Sequence, residues 1–520
     1  MALISEALDS SSFIAVVVVF AAIVTFSRWL YKCNMRTANF PPGPPTLPFL
    51  GNILQMPSKH PFLKYTEWSK QYGDIIGLKL GPLHIIVLNS PEVIQSLLVN
   101  RAPLYSGRPV PYLIRNFVYT DQDHILMFQN DAQLKRARTS LRSLTGPTGL
   151  KTALPMQDRI ASKLITRLRE TEYGASTCIG LWSFETAMTA TMGPVGVEKA
   201  QHEILKVWTG VQHEILDTIE SVVTLLYDIF PVIRYLPASP GKRSAKAAGK
   251  ILWDFYSDCF CSLKRHMSQA EKFEDNCDYW GFIATILRSQ EKSEDGNGDL
   301  VKEGKFDSHY KEASLISLAE AITDAATDTT TAVALSLILA LAVNRDILRK
   351  AQVEIDQLCD QDQKLEPDYS DIGRLPYLKA CLLETLRWRT PTPLLLPRRL
   401  EKDDVFRDYH LPKNSIILAN VWAVLQDPKH YKSPDVFDPD RFMGEGTKGK
   451  PFSPFGVGRR MCPGDQFAMN SLMVVLSKLV RSFDFVLDGP TPDVSVEGGY
   501  GTGIVLTPKS LPVKFVPRKF

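Results

Sequence analysis

The chain has 520 residues, 44% apolar and 22% charged, an apolar share that excludes a disordered protein and allows a large buried core. Lys and Arg number 60 against 57 Asp and Glu; a net charge of +3 excludes a nucleic-acid binder read from charge. Length alone suggests about three domains. The eight cysteines, with no Cys-x-x-Cys pair, are too sparse for a disulfide framework and favour a reduced, cytosol-facing protein.

From Ser10 to Ser27 no residue is charged. As a helix this run spans roughly 27 Å, near the hydrocarbon thickness of a bilayer. Glu6 and Asp9 precede it, while Arg28, Lys32 and Arg36 follow, so the positive-inside tendency places the bulk of the chain in the cytosol. A cleaved signal peptide would carry its positive charge before the apolar run, so residues 1–36 read as an uncleaved membrane anchor. Residues 37–52, with the run Phe40-Pro-Pro-Gly-Pro-Pro, read as a stiff Pro-rich hinge.

Strands are predicted at Ile75–Leu80 and Ile85–Leu88, with Gly81-Pro82 as the turn. Most of the remainder has helical periodicity, including Asp158–Arg169 and Gln201–Leu226. The polar, glycine-containing stretch Ser289–His309 reads as a solvated loop. A long helix follows from about Ser314 to Asn344. Its second half, Thr329–Val343, is uncharged but too short to span a bilayer, so it is expected to be buried on all sides. Its first half holds the polar cluster Thr323-Asp324-Ala-Ala-Thr327-Asp328-Thr329-Thr330, a costly composition inside a core. Residues 53–520 read as one large unit, mainly α with minor β.

Chemistry concentrates in Pro454-Phe455-Gly456-Val457-Gly458-Arg459-Arg460-Met461-Cys462-Pro463-Gly464. Two glycines allow a tight loop, and the apolar helix predicted at Phe467–Phe483 puts Cys462 at a helix N-terminus. That dipole, with Arg459 and Arg460 nearby, favours a thiolate. Cys462 is then a candidate nucleophile, redox thiol or iron ligand.

The run Phe455-x-x-Gly458-x-Arg460-x-Cys462-x-Gly464 resembles the haem-binding loop of cytochromes P450. Three more signatures follow in that family's order. Glu384-x-x-Arg387 resembles its K-helix pair, Pro439-x-Arg441-Phe442 the element after it, and Ala325-Ala-Thr-Asp328-Thr329-Thr330 its oxygen-activating I-helix segment. Anchor and hinge resemble microsomal members. The resemblance implies a cytochrome P450 fold, a single haem-binding domain behind a transmembrane helix, and haem b (heme b, iron protoporphyrin IX) as cofactor.

By the same resemblance Cys462 supplies the axial thiolate, whose electron donation favours O–O cleavage. Phe455 belongs to the cofactor-binding loop, and Arg460 and Arg398 pair with haem propionates. Arg138 is the third propionate partner and Arg136 its competitor. Glu384, Arg387 and Arg441 form a supporting triad, while Thr329 and Asp328 deliver protons. Two positions depart from the family pattern. Ala326 stands where glycine is usual, and Leu134 takes the tryptophan position of Trp-x-x-x-Arg.

The chain has no dinucleotide fingerprint, so NADPH-cytochrome P450 reductase is the implied electron donor, with cytochrome b5 as a further partner and the endoplasmic reticulum membrane as location. The resemblance draws the substrate pocket from Ser106–His124, Thr323–Thr327, Leu394–Pro397 and Gly498–Ile504, which suits an apolar or aromatic small molecule. Similarity to filamentous-fungal members points to hydroxylation in secondary metabolism. Desaturation, oxidative coupling and ring closure use the same chemistry. A haem protein for electron transfer or ligand storage would have no need of the Thr–Asp cluster.

Overall fold

The computed structural model describes residues 10–119, 124–129, 131–170, 173–200, 222–235, 240–273, 279, 281–294, 310–444 and 454–519. Helix α1 (Ser10–Asn34) exposes its apolar side chains from Phe13 to Phe26, while Tyr31 near its end meets the Phe49 ring at 5.8 Å. Its end is tied down: the Gly81 N–H donates to Asn34 Oδ1 at 2.8 Å. The Pro-rich segment behind it is docked, not a free spacer. Phe40 is buried, the Gly77 N–H donates to Pro42 O at 2.8 Å, and Arg36 donates to Gly77 O at 2.9 Å. Proline carbonyls remain acceptors although the ring removes the donor, so this stretch can edge the sheet from one side.

Helix α2 (Pro61–Tyr72) leads into the predicted hairpin, β1 (Ile75–Leu80) and β2 (Leu83–Leu88), paired antiparallel across Gly81, whose φ is 62°. β6 (Ile416–Ala419) adds in parallel to β2, and the two-residue β3 (Arg398–Arg399) pairs with β6, giving the order β1-β2-β6-β3. β4 (Asp404–Phe406) pairs with β5 (Tyr409–Leu411), and β7 (Phe483–Leu487) with β8 (Val513–Pro517).

The remaining longer helices are α3 (Ala132–Ser140), α4 (Pro147–Glu170), α5 (Ala175–Ala200), α6 (Pro240–Phe273), α7 (Phe282–Glu294), α8 (Glu312–Val343), α9 (Arg345–Asp362), α10 (Pro376–Trp388) and α11 (Asp465–Ser482). α5 breaks at Gly193-Pro194, where glycine takes φ 73°. α8 runs through the middle, packed on α5, α6, α10 and α11, and Thr330–Ala342 is buried on every face as expected of an uncharged helix too short for a membrane. The observed architecture is mainly α with minor β.

Two local expectations change. Ser289–Glu294 belongs to α7 and not to a loop, because buried Phe282, Ile283 and Ile286 hold the helix and the Ser289 hydroxyl bonds back to Ile286 O at 2.7 Å. Residues 295–309 of that stretch lie outside the described residues. Of the helix expected at Gln201–Leu226, residues 201–221 lie outside them, and Val222–Ile229 is helical.

Candidate haem-thiolate site

The Cys462 loop closes on itself before α11 begins. The Cys462 N–H donates to Phe455 O at 2.9 Å. Gly456 and Gly458 take φ of 79° and 64°, and a Cβ on Gly458 would sit 2.2 Å from Leu98 O. Only glycine fits that approach and that conformation. Protein packed round the loop pushes the Cys462 thiol up from its ordinary value although its side chain is exposed to the cavity, against the lowering effects of the Gly464 N–H and the Arg138 charge. Of the charges that act on it, Arg138 favours the thiolate and Asp465 opposes it. Arg460 turns away, donating to Ser106 O at 2.8 Å and to Phe128 O. A metal ion would reverse the balance, since coordination deprotonates a thiol outright.

Cys462 and Phe455 open onto a cavity of about 320 Å3 that Thr329 also lines. The walls are chiefly apolar, from Ala321, Ile322, Ala325 and Val333 on α8, Trp182 on α5, and Leu395 before β3. Thr329 Oγ1 donates to Ala325 O at 2.8 Å, one turn back. Asp328 is half-buried beside it and is not part of the wall. Ala326 does line the cavity, as does Leu134 at the unusual position on α3.

The expected pocket segments are only partly borne out. Leu395 and Leu396 line the cavity, but Thr323 and Thr327 turn into the α5–α8 contact. Thr323 bonds Thr191 at 3.0 Å, and Thr327 Oγ1 donates to Thr323 O at 2.6 Å. Residues 498–504 stay off the wall, with Tyr500 buried against Arg389. A small cluster of hydroxyls is satisfied more completely between helices than facing an apolar void.

Four arginines converge at one edge: Arg108, Arg138, Arg398 and Arg460, all lining the cavity. None forms an ion pair among the described residues, and their bonds run to carbonyls: Arg398 to Val457 O at 2.6 Å, Arg108 to Leu396 O at 2.9 Å, Arg138 to Met461 O at 2.8 Å. Burial, with mutual repulsion, lowers Arg108 to about 9 and Arg398 and Arg460 to about 10. Arg398 Nη1 and Arg108 Nε are buried with no hydrogen-bond partner among the described residues. Such a set asks for an anion, and the two propionates of a haem fit it. Arg136 instead lies over the Tyr310 ring at 5.8 Å, so Arg138 is the α3 arginine at the cavity. Arg108 was not picked out from the sequence, although it lies inside the expected pocket segment, next to the bridge between Gly107 and Arg399.

The supporting triad is fully assembled. Arg387 clamps Glu384 with two 2.7 Å bonds, both side chains 0% exposed, and Arg441 Nε lies 3.4 Å from Glu384. Arg387 also reaches Leu425 O at 3.1 Å and the Asp438 N–H donates to Glu384 at 2.9 Å, so the pair braces the chain that leads to the Cys462 loop.

A helical fold around one apolar cavity, with a lone cysteine and uncompensated arginines on its wall, defines a haem-thiolate protein. The chain matches the Cytochrome P450 family over residues 41–515 and belongs to it. It is 31% identical to cytochrome P450 monooxygenase 231 of Postia placenta, over 94% of this chain and 91% of that protein. It is 29% identical to cytochrome P450 monooxygenase fogE of Aspergillus ruber (98% and 92% covered) and 28% to tryptamine 4-monooxygenase of Psilocybe cyanescens (94% and 96%). Membership makes it an oxidoreductase of the monooxygenase type with a haem-thiolate cofactor, a reductase as redox partner and a small-molecule substrate.

Proposed function

We propose that this protein is a haem b monooxygenase that hydroxylates an apolar or aromatic small molecule in fungal secondary metabolism. Electrons come from NADPH-cytochrome P450 reductase, with cytochrome b5 as a second donor. Residues 1–36 anchor it in the endoplasmic reticulum membrane, residues 37–52 link anchor to globule, and residues 53–520 work on the cytosolic side. The observation that carries the reading is that Cys462 and Thr329 line one apolar cavity edged by four arginines that form no ion pair among the described residues. The names of the fogE and tryptamine 4-monooxygenase relatives support a fungal, aromatic setting.

When bound, the haem supplies dioxygen activation and insertion of one oxygen atom. Cys462 would hold it through its thiolate, with Phe455 in the same loop, and Arg460, Arg398, Arg138 and Arg108 would hold its propionates. Thr329 Oγ1 passes protons into the cavity, fed from Asp328, while the apolar wall keeps bulk water out. The test is turnover with reductase, NADPH and 18O-labelled dioxygen. Product carrying one labelled oxygen, and a several-fold loss of product per NADPH with added hydrogen peroxide in Thr329→Ala, are expected. Unlabelled product would refute hydroxylation, and unchanged coupling would refute the Thr329 role.

A further inference from the structure

The contact between α5 and α8 holds a run of buried hydroxyls: Ser183 and Thr191 on α5, and Thr323, Thr327 and Thr331 on α8. A serine or threonine inside a helix commonly satisfies its donor on a carbonyl one turn back on its own helix. Thr186 does so to Trp182 O at 2.8 Å and Thr191 to Ala187 O at 3.1 Å, and Thr327 and Thr331 do the same on α8. Ser183 departs from the rule. Its Oγ donates across the contact to Thr327 O at 2.9 Å.

The carbonyl does not need that bond. Thr327 O already accepts the Thr331 hydroxyl at 2.7 Å and stands one turn before the Thr331 N–H in the continuous α8. A carbonyl offers two lone pairs, so Ser183 is a third donor. What it adds is position. The Thr327 carbonyl and the Asp328 Cα belong to one planar peptide, so a hydroxyl held on that oxygen fixes the path of the chain into residue 328. Thr329 comes next and lines the cavity, and Ser183 lines the same cavity. A hydroxyl that hands on a proton must lie within about 2.6–3.2 Å of its acceptor, and a misplacement of about 1 Å can cost on the order of a hundredfold. We propose that Ser183 is a positioning residue: its bond to Thr327 O holds the Asp328–Thr329 turn in place for proton delivery. This rests on the monooxygenase reading above, with Thr329 as the group that meets the reacting atoms.

The test uses the full-length, haem-loaded protein with Ser183→Ala, Thr329→Ala and the double variant. Ser183→Ala leaves no polar group stranded, because Thr327 O keeps both Thr331 donors, so haem content and urea midpoint should stay near wild type. Three readouts separate positioning from packing. The C–O stretch of the carbon-monoxide complex senses the dipoles beside the bound gas, and amide hydrogen exchange over residues 325–331 senses the tie to α5. The third is hydrogen peroxide released per NADPH, with reductase and propylbenzene as the probe. In Ser183→Ala the C–O band should leave its wild-type frequency, exchange over 325–331 should quicken about fivefold, and peroxide per NADPH should rise about threefold. The double variant should match Thr329→Ala in band and in peroxide, since Ser183 acts through Thr329. A wild-type band or wild-type exchange in Ser183→Ala overturns the proposal, as do additive effects in the double variant. Thr329→Ala that stays coupled sinks the Thr329 role itself, whereas uncoupling by Thr329→Ala beside a coupled Ser183→Ala sinks the Ser183 role alone. Ser183→Cys, of similar volume and a poorer donor, carries the same tests where the alanine variant does not fold. Wild type that oxidises no propylbenzene counts against the apolar-substrate reading, and the band and the exchange then decide on Ser183.

Discussion

Replacing Glu384 by alanine strands the Arg387 guanidinium in the core. Wild-type Glu384 accepts two 2.7 Å bonds from Arg387 and one at 2.9 Å from the Asp438 N–H, with Arg441 Nε at 3.4 Å. Arg387 keeps only carbonyl partners, Leu425 O at 3.1 Å and Val436 O at 3.3 Å, which cannot neutralise it. Breaking a buried pair from one side costs about 3–5 kcal/mol, a large part of the roughly 5–15 kcal/mol that holds a folded protein together. Glu384→Ala should therefore lower the urea midpoint of the full-length protein sharply and reduce the folded yield. Glu384→Leu/Arg387→Met, which removes both charges and keeps the volume, should recover most of the loss, because no ion is left without a partner. Glu384→Ala within about 1 kcal/mol of wild type would refute this account, since it would mean that water or another acid reaches Arg387. A double variant no better than the single would show that the hydrogen-bonded bracing, and not the charge, is what matters.

The remaining predictions concern the arginine edge, the loop and a buried histidine. Arg398→Met should stabilise the haem-free protein by about 1–3 kcal/mol, because burial and Arg460 hold this cation at a disadvantage, while reducing haem retained per chain. Urea melts and haem content read the two opposite signs, and loss of both would contradict the assignment. Gly458→Ala, with its Cβ at 2.2 Å from Leu98 O, should lower both stability and haem content, whereas an unchanged melt would mean the loop moves freely. His124 is 3% exposed, and burial lowers it to about 3 against an unfolded value near 6.5, so the unfolded chain binds its proton first. Its contribution is intact above about pH 6.5 and is lost as pH falls toward 3, about 2 kcal/mol by pH 5. Wild-type stability minus that of His124→Phe should show this slope; a flat difference would mean the imidazole is solvated. Taking the difference removes the opposite slopes of Asp324 and Glu320, acids that burial raises above the carboxylate range.

Local chemistry was legible because it is written in adjacent residues. Glycines at 456 and 458 before Cys462 specify a loop that no other residue type can make, and β1, β2 and the buried half of α8 follow from apolar runs of the right length. The N-terminal apolar helix was equally plain, since eighteen uncharged residues in a row with no helix breaker favour one. Tertiary structure decided what distant segments do to one another. It chose Arg138 over Arg136 because the two point about 200° apart round α3, added Arg108 from a segment distant in sequence from Cys462, and turned Thr323 and Thr327 into a helix contact. It docked the Pro-rich stretch onto β1, where the sequence suggested only stiffness. It also left the carboxyl oxygens of Glu320 without a hydrogen-bond partner among the described residues, which no spacing reveals, because pairing is a property of which side chains meet and not of their order. The same holds for packing: α8 meets α5, α6, α9, α10 and α11, a set of contacts that chain order does not announce.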